Sequence, residues 1–276
     1  MSIYDVEDGE NINSRHGSKT FNIYSDKSIQ PIYFHENWDV GIGGGLWSTG
    51  LAMAYFFRKK SSVIRESLNI LKANTALELG SGNGFVSVSF LASLSSSCEI
   101  FKELVITDLE VQLPLIERTL NANQHIIGRF HVDINLLHKR YAGTNSSSLS
   151  SYDLETNSNM ATMKVIVARH AWGEFTSSAD HLRESNGCCT KFDFIFGSDI
   201  AYRDSLHKPI IQSLVYFSHY RTTILLGVTM YDTKPTFFDA LWTAGFTYIR
   251  IVDNDNMLPE YQGKSFGLFL LRRRPM

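Results

Sequence analysis

The acids and glycines that could do chemistry in this chain fall at the ends of apolar runs. Glu78-Leu-Gly-Ser-Gly-Asn-Gly84 closes the run from Thr75, Asp108 ends Val105-Ile-Thr-Asp108, and Asp199 ends Phe192-Asp-Phe-Ile-Phe-Gly-Ser-Asp199. Gly80, Gly82 and Gly84 remove the Cβ atoms that would keep a ligand away from the backbone, and Glu78 can approach its positive or donor end. A dinucleotide turn reads G-x-G-x-x-G, and the glycine it needs next is Phe85 here. That mismatch argues against a pyrophosphate. A nucleoside with a zwitterionic tail fits better, and S-adenosylmethionine is the commonest such cofactor.

An acid at the carboxyl end of the second strand of an open α/β sheet is placed to accept both ribose hydroxyls, which suits Asp108. Trp172, after the next strand, would stand near the adenine, stacking on it or filling the rim of the core. His170 reads as a structural histidine. Ser198, Asp199 and Tyr202 emerge where an acceptor would meet the cofactor. A lysine acceptor must lose its proton before its nitrogen can attack, which near pH 7 costs about 4–5 kcal/mol from its reference pKa. Asp199 can orient that amine, while aromatic walls favour the approaching cation and exclude water. Asp199 could instead cap a helix starting near Asp204, and Asp108 could cap its own turn beside Glu110.

These groups need a parallel sheet to align them. Strands are expected at Ala76–Leu79, Leu104–Thr107, Val165–Ala168, Phe192–Gly197, Thr223–Val228, Thr247–Val252 and Phe266–Leu271, and helices at Trp47–Phe57, Phe85–Leu94, Gln112–Asn121, Leu206–Tyr216 and Thr236–Thr243. Strand–helix alternation predicts an α/β fold with helices on both faces. Only the polar Asp253–Lys264 segment separates the last two strands, so they should pair antiparallel. Residues 1–20 read as a disordered tail, followed by a possible strand pair within Phe21–Phe34 and a mobile turn at Gly41-Ile-Gly-Gly-Gly45. Residues 21–276 then form a single domain interrupted by Ser/Asn-rich surface insertions at 140–163 and 176–190.

Composition sets outer bounds. The chain has 276 residues, 43% hydrophobic and 20% charged, with a formal net charge of −2, so no overall electrostatic footprint for nucleic acid is present. Cys98 and the pair Cys188-Cys189 give neither metal spacing nor a disulfide framework, so no metal is expected. No signal peptide or long apolar span is evident, which predicts a soluble protein of cytoplasm or nucleus. Arg272-Arg273-Arg274 reads as a solvated strand end.

In this order and spacing, the motifs resemble the family 16 protein methyltransferases, the group that includes the methyltransferase-like 21 lysine enzymes. The resemblance spans roughly Phe21 to Arg274. Its motifs are a Gly-x-x-x-Trp segment at Gly43–Trp47, E-L-G-x-G-x-G at Glu78–Gly84, T-D at Thr107-Asp108, W-G at Trp172-Gly173 and D-x-x-Y at Asp199–Tyr202. The family implies a Rossmann-like seven-stranded class I methyltransferase sheet, ordered 3-2-1-4-5-7-6, with a short N-terminal extension. It implies S-adenosylmethionine held by Trp47, Glu78, Gly80, Ser81, Gly82, Asp108, Leu109, Trp172 and Ser198, with Asp199 and Tyr202 facing the acceptor. It further implies a monomeric protein-lysine methyltransferase acting on a protein substrate, such as a chaperone or AAA ATPase.

Val105–Glu110 with Asn121-Ala-Asn123 looks closest to the branch that methylates the hexameric AAA ATPase valosin-containing protein. Ser48-Thr49-Gly50 departs from the family, which usually has Asp or Pro followed by Ala there, and the two insertions depart as well. A histidine, arginine or non-protein acceptor, or a silent scaffold of the same fold, are the alternative functions. A base-methylating enzyme is disfavoured, because Ser198-Asp-Ile-Ala201 stands where an N/D/S-P-P-aromatic motif would be.

Overall fold

The computed structural model describes residues 4–8, 16–23, 31–59, 68, 74–94, 101–128, 130, 163–175, 191–251 and 266–275. β1 (Tyr4–Asp8), β2 (His16–Ile23) and β3 (Ile32–Asn37) form a three-stranded antiparallel sheet. β4 (Thr75–Leu79), β5 (Glu103–Asp108), β6 (Lys164–Arg169), β7 (Phe192–Ser198), β8 (Ser218–Thr229), β9 (Phe246–Ile251) and β10 (Phe266–Arg273) form a second sheet, ordered β6-β5-β4-β7-β8-β10-β9. Counted from β4, that order is the expected 3-2-1-4-5-7-6. Its pairs from β6 through β8 are parallel, and β10 runs antiparallel to both of its neighbours.

The two-residue period of the strands divides the core. Ala76, Ile106, Phe194 and Phe196 face one way, against α1 (Ser48–Lys59), α2 (Phe85–Ser93) and α3 (Leu113–Ala122), with the short α4 (Gln124–Ile127) beside them. Leu77, Leu79, Val105 and Ile195 face the other way, against α5 (Asp204–Phe217) and α6 (Pro235–Thr243). On the first face Phe90 packs its ring 5.2 Å from Phe57, 5.3 Å from Phe101 and 5.2 Å from Phe196. Truncating such a side chain costs about 3–5 kcal/mol.

Three local features differ from the sequence expectation. Residues 1–20, read as a tail, contain β1 and the first part of β2, whose backbones pair outward from β3. That pairing depends on β3 being anchored: Asn123, after α3, accepts from the Tyr33 N–H at 2.9 Å and donates to the Tyr33 carbonyl at 2.5 Å. Polar composition alone could not reveal such a distant anchor. The Gly41–Gly45 segment is not loose, because it is closely packed. A Cβ on Gly44 would lie 1.7 Å from the Asn37 carbonyl oxygen, and one on Gly45 would lie 2.1 Å from the Trp38 ring. The terminal arginines stand at the end of β10 and donate to backbone carbonyls, Arg272 to Arg221 and Leu68, Arg273 to Ser218, and Arg274 to Trp242. Both Ser/Asn-rich insertions, apart from Met163, lie outside the described residues, as do the cysteines and Asp253–Lys264.

Candidate active site

The strand order reverses between β4 and β7, and open α/β sheets place ligands outside the carboxyl ends of the strands at such a point. A cavity of about 690 Å³ opens there. Its walls include Trp47, Gly80, Ser81, Gly82, Asp108, Leu109, Trp172, Ser198, Asp199 and Tyr202. One predicted residue, Glu78, is not among its lining residues.

The glycine turn is shaped by close contacts. Gly80, Gly82 and Gly84 adopt φ of 68°, 61° and 83°. A Cβ on Gly80 would sit 2.6 Å from the Trp172 ring, and one on Gly82 would sit 2.7 Å from the Gly43 carbonyl oxygen. The Gly41–Leu46 strap therefore lies directly on the turn. Trp47 follows it, donates its indole N–H to the Ile42 carbonyl at 2.9 Å and meets Trp38 edge to face, with 41% of its surface still exposed.

Both carboxylates at the turn are engaged by the protein. Asp108 accepts from the Gly82 N–H at 2.7 Å through Oδ2 and from the Leu109 N–H at 2.6 Å through Oδ1. Burial pushes its pKa up to about 6 against the pull of those two donors. Glu78 shares its strand face with Ala76, so its side chain turns toward α2 beneath the turn. There Oε2 accepts from the Ser81 hydroxyl at 2.6 Å and from the Ser87 hydroxyl, while Oε1 is buried with no partner among the described residues. Burial raises Glu78 to about 7; the two serines oppose that shift and the Asp108 charge adds to it.

On the opposite wall, Asp199 has a φ of 52°, the only positive value outside glycine among the described residues. That backbone swings its carboxylate to the start of α1, where it accepts from the Thr229 hydroxyl at 2.6 Å and from the hydroxyl and N–H of Thr49. Asp199 therefore caps α1, not the helix beginning at Asp204. Burial raises its pKa, those donors lower it, and the nearby charge of Asp232 raises it again. Tyr202 stands on the same wall, with the Arg203 guanidinium over its ring at 5.4 Å from the centroid.

Residues 26–138 match the family model described as lysine methyltransferase. The chain is an S-adenosylmethionine-dependent methyltransferase, similar to that family over those residues. No curated protein matches it. Among solved structures, the methyltransferase is similar to the ribosomal protein L11 methylase of Lactobacillus delbrueckii subsp. bulgaricus, with 10% identity over 79% of each chain and a TM-score of 0.45. It is also similar to a TehB-like S-adenosylmethionine-dependent methyltransferase of Corynebacterium glutamicum, at 9% identity over 78% of this chain and 88% of that one, with a TM-score of 0.42. A third is the T. thermophilus 16S rRNA methyltransferase in complex with AdoMet and guanosine, at 11% identity over 99% of this chain and 52% of that one, with a TM-score of 0.48.

The cavity of the methyltransferase suits this cofactor in its glycine cradle, in the carboxylate at the end of β5 and in two buried amides. Asn83 Nδ2 and Gln112 Oε1 are buried without partners among the described residues, and both side chains line the cavity. Asn83, Gln112, Thr229 and Asp232 escaped the sequence reading. Nothing local marked Thr229 or Asp232, whereas Asn83 lies within the glycine motif itself and could have been named. His170 also reaches the cavity rim, but its ring bonds the Ser213 hydroxyl at 3.0 Å and packs on Phe217. Among the described residues, no group of His, Cys, Asp and Glu could hold a metal, and no helix is long and apolar enough to cross a membrane.

Proposed function

We propose that this methyltransferase transfers a methyl group to a lysine side chain of a protein substrate. The observation that carries this reading is the acceptor wall, where Asp199, held at fixed orientation by Thr49 and Thr229, stands with Tyr202 and Asp232 in one cavity. Acid and aromatic groups together suit a cationic, aliphatic side chain. Trp47, Gly80, Ser81, Gly82, Asp108, Leu109, Trp172 and Ser198 hold the cofactor in this reading. Glu78 acts from behind the turn, through Ser81. S-adenosylmethionine supplies an electrophilic methyl group whose departing sulfur needs no acid.

The work left to the protein is binding, orientation and exclusion of water. Asp199 orients the amine as a hydrogen-bond acceptor, Tyr202 walls the approach, and the proton leaves the amine for solvent at the cavity mouth. Supplying Asp199 as a fixed acceptor requires no movement at the moment of reaction.

The test is transfer from methyl-labelled cofactor to lysate proteins, and to a hexameric AAA ATPase as the first defined acceptor because of the run Val105–Glu110. Label recovered as methyl-lysine after hydrolysis is the expected result. Label recovered only as methyl-histidine, methyl-arginine or a non-protein product overturns the lysine assignment, and failure to bind the cofactor overturns the enzymatic reading.

A further inference from the structure

Gln112 is buried to 4% exposure at the end of a short 3-10 turn, Glu110–Gln112, that closes on Leu109 through the Gln112 N–H at 2.9 Å. Its side chain reaches across to the strap, donating Nε2 to the Val40 carbonyl at 3.1 Å. A carbonyl can only accept, so the amide nitrogen belongs on that side and Oε1 faces elsewhere. Oε1 is the buried atom without a partner, on a side chain that lines the cavity. A buried amide oxygen left unbonded costs about 1–3 kcal/mol, which a ligand donor would relieve. Strap, amide and glycine turn meet at one point: a Cβ on Gly43 would lie 2.9 Å from Gln112 Nε2 and 3.6 Å from the Gly82 Cα.

The donor most in need of such an acceptor is a ribose hydroxyl. Asp108 lies on the same turn of chain, and each of its carboxylate oxygens already accepts a backbone N–H. Half of its hydrogen-bonding capacity is therefore spent on the protein. A second acceptor beside it would complete the recognition of a vicinal diol. We propose that Gln112 is a cofactor-binding residue that accepts a ribose hydroxyl through Oε1 while its Nε2 fastens the strap, so that nucleoside occupancy and strap closure are coupled through one side chain. This rests on the S-adenosylmethionine reading of the cavity.

The test compares Gln112→Met, which is close in size and lacks both polar atoms, with the unaltered protein by calorimetric titration. Two ligands are used: S-adenosylhomocysteine, and 5′-methylthioadenosine, which keeps the nucleoside and lacks the amino-acid tail. The expected result is a loss of about tenfold in affinity for both, the size of one buried hydrogen bond. Hydrogen exchange across residues 38–47, slowed by either ligand in the unaltered protein, should be slowed less in the variant at saturation. Gln112→Asn, one methylene shorter, should give the same pattern and serves if the Met variant melts early. Unchanged affinity for both ligands, or a loss confined to S-adenosylhomocysteine, overturns the inference. An unaltered protein that binds neither ligand overturns the cofactor reading, and the Gln112 role with it.

Discussion

The two walls of the cavity are built differently. On the glycine-turn wall, Glu78 takes hydroxyls from Ser81 and Ser87 nearby in the chain, and Asp108 takes N–H groups from its neighbour Leu109 and, from the end of the adjacent strand, from Gly82. On the acceptor wall, Asp199 is held by Thr229 at the end of the next strand and by Thr49, which belongs to a helix far from it in the chain. The first wall is made by the glycine turn and the strand paired beside it, and forms once β4 and β5 are together. The second exists only once α1, β7 and β8 are packed together, so its geometry is a property of the tertiary structure.

Replacing Asp199 by Asn should separate the two walls most sharply. Turnover should fall by about a thousandfold, as expected for a lost orienting group, while cofactor affinity stays within about threefold. Stopped transfer together with lost cofactor binding would mean that the walls are not independent.

The next effect is on stability. Glu78 and Asp108 have folded pKa values of about 7 and about 6, above their unfolded values of about 4. Between about pH 4 and pH 7 the folded protein holds protons that the unfolded chain has released. Stability of the cofactor-free protein should therefore fall as pH rises through that window, by on the order of 3 kcal/mol from Glu78. Melting temperatures across the window measure this, and Glu78→Gln should remove about half of the slope, leaving the part due to Asp108.

A smaller loss is expected from Asp108→Ala, which orphans two backbone N–H groups and should weaken cofactor binding about thirtyfold without changing the rate at saturation. The smallest effect is that of Thr229→Val, which removes one of Asp199's donors and should lower turnover about fivefold at unchanged cofactor affinity. Measured kcat and cofactor Kd decide both cases.

The same contrast explains what could be read from sequence. The central strands are short, strongly apolar runs such as Phe192–Gly197, and the glycine turn carries its own conformation, so element positions were legible, while the sheet order followed from the family resemblance. Glu78 was expected to face the ligand; the alternation along β4 points it at Ser87 instead. Thr49 and Thr229 are ordinary residues until folding brings them to Asp199. β1 and the first part of β2 were read as tail for a related reason, since their order comes from an edge offered by β3, which is pinned by Asn123 and Thr119.

The position of β10 bears on how the chain is made. Phe266–Arg273 is the last strand of the sheet in sequence, yet it pairs with β8 on one side and β9 on the other. During synthesis, β9 emerges before the strand that joins it to the sheet, and β8 waits with an open, apolar edge. A chain arrested between Ile251 and Phe266 would have its glycine turn and Asp199 already made but an unpaired edge exposed, the condition under which sheet proteins associate with one another.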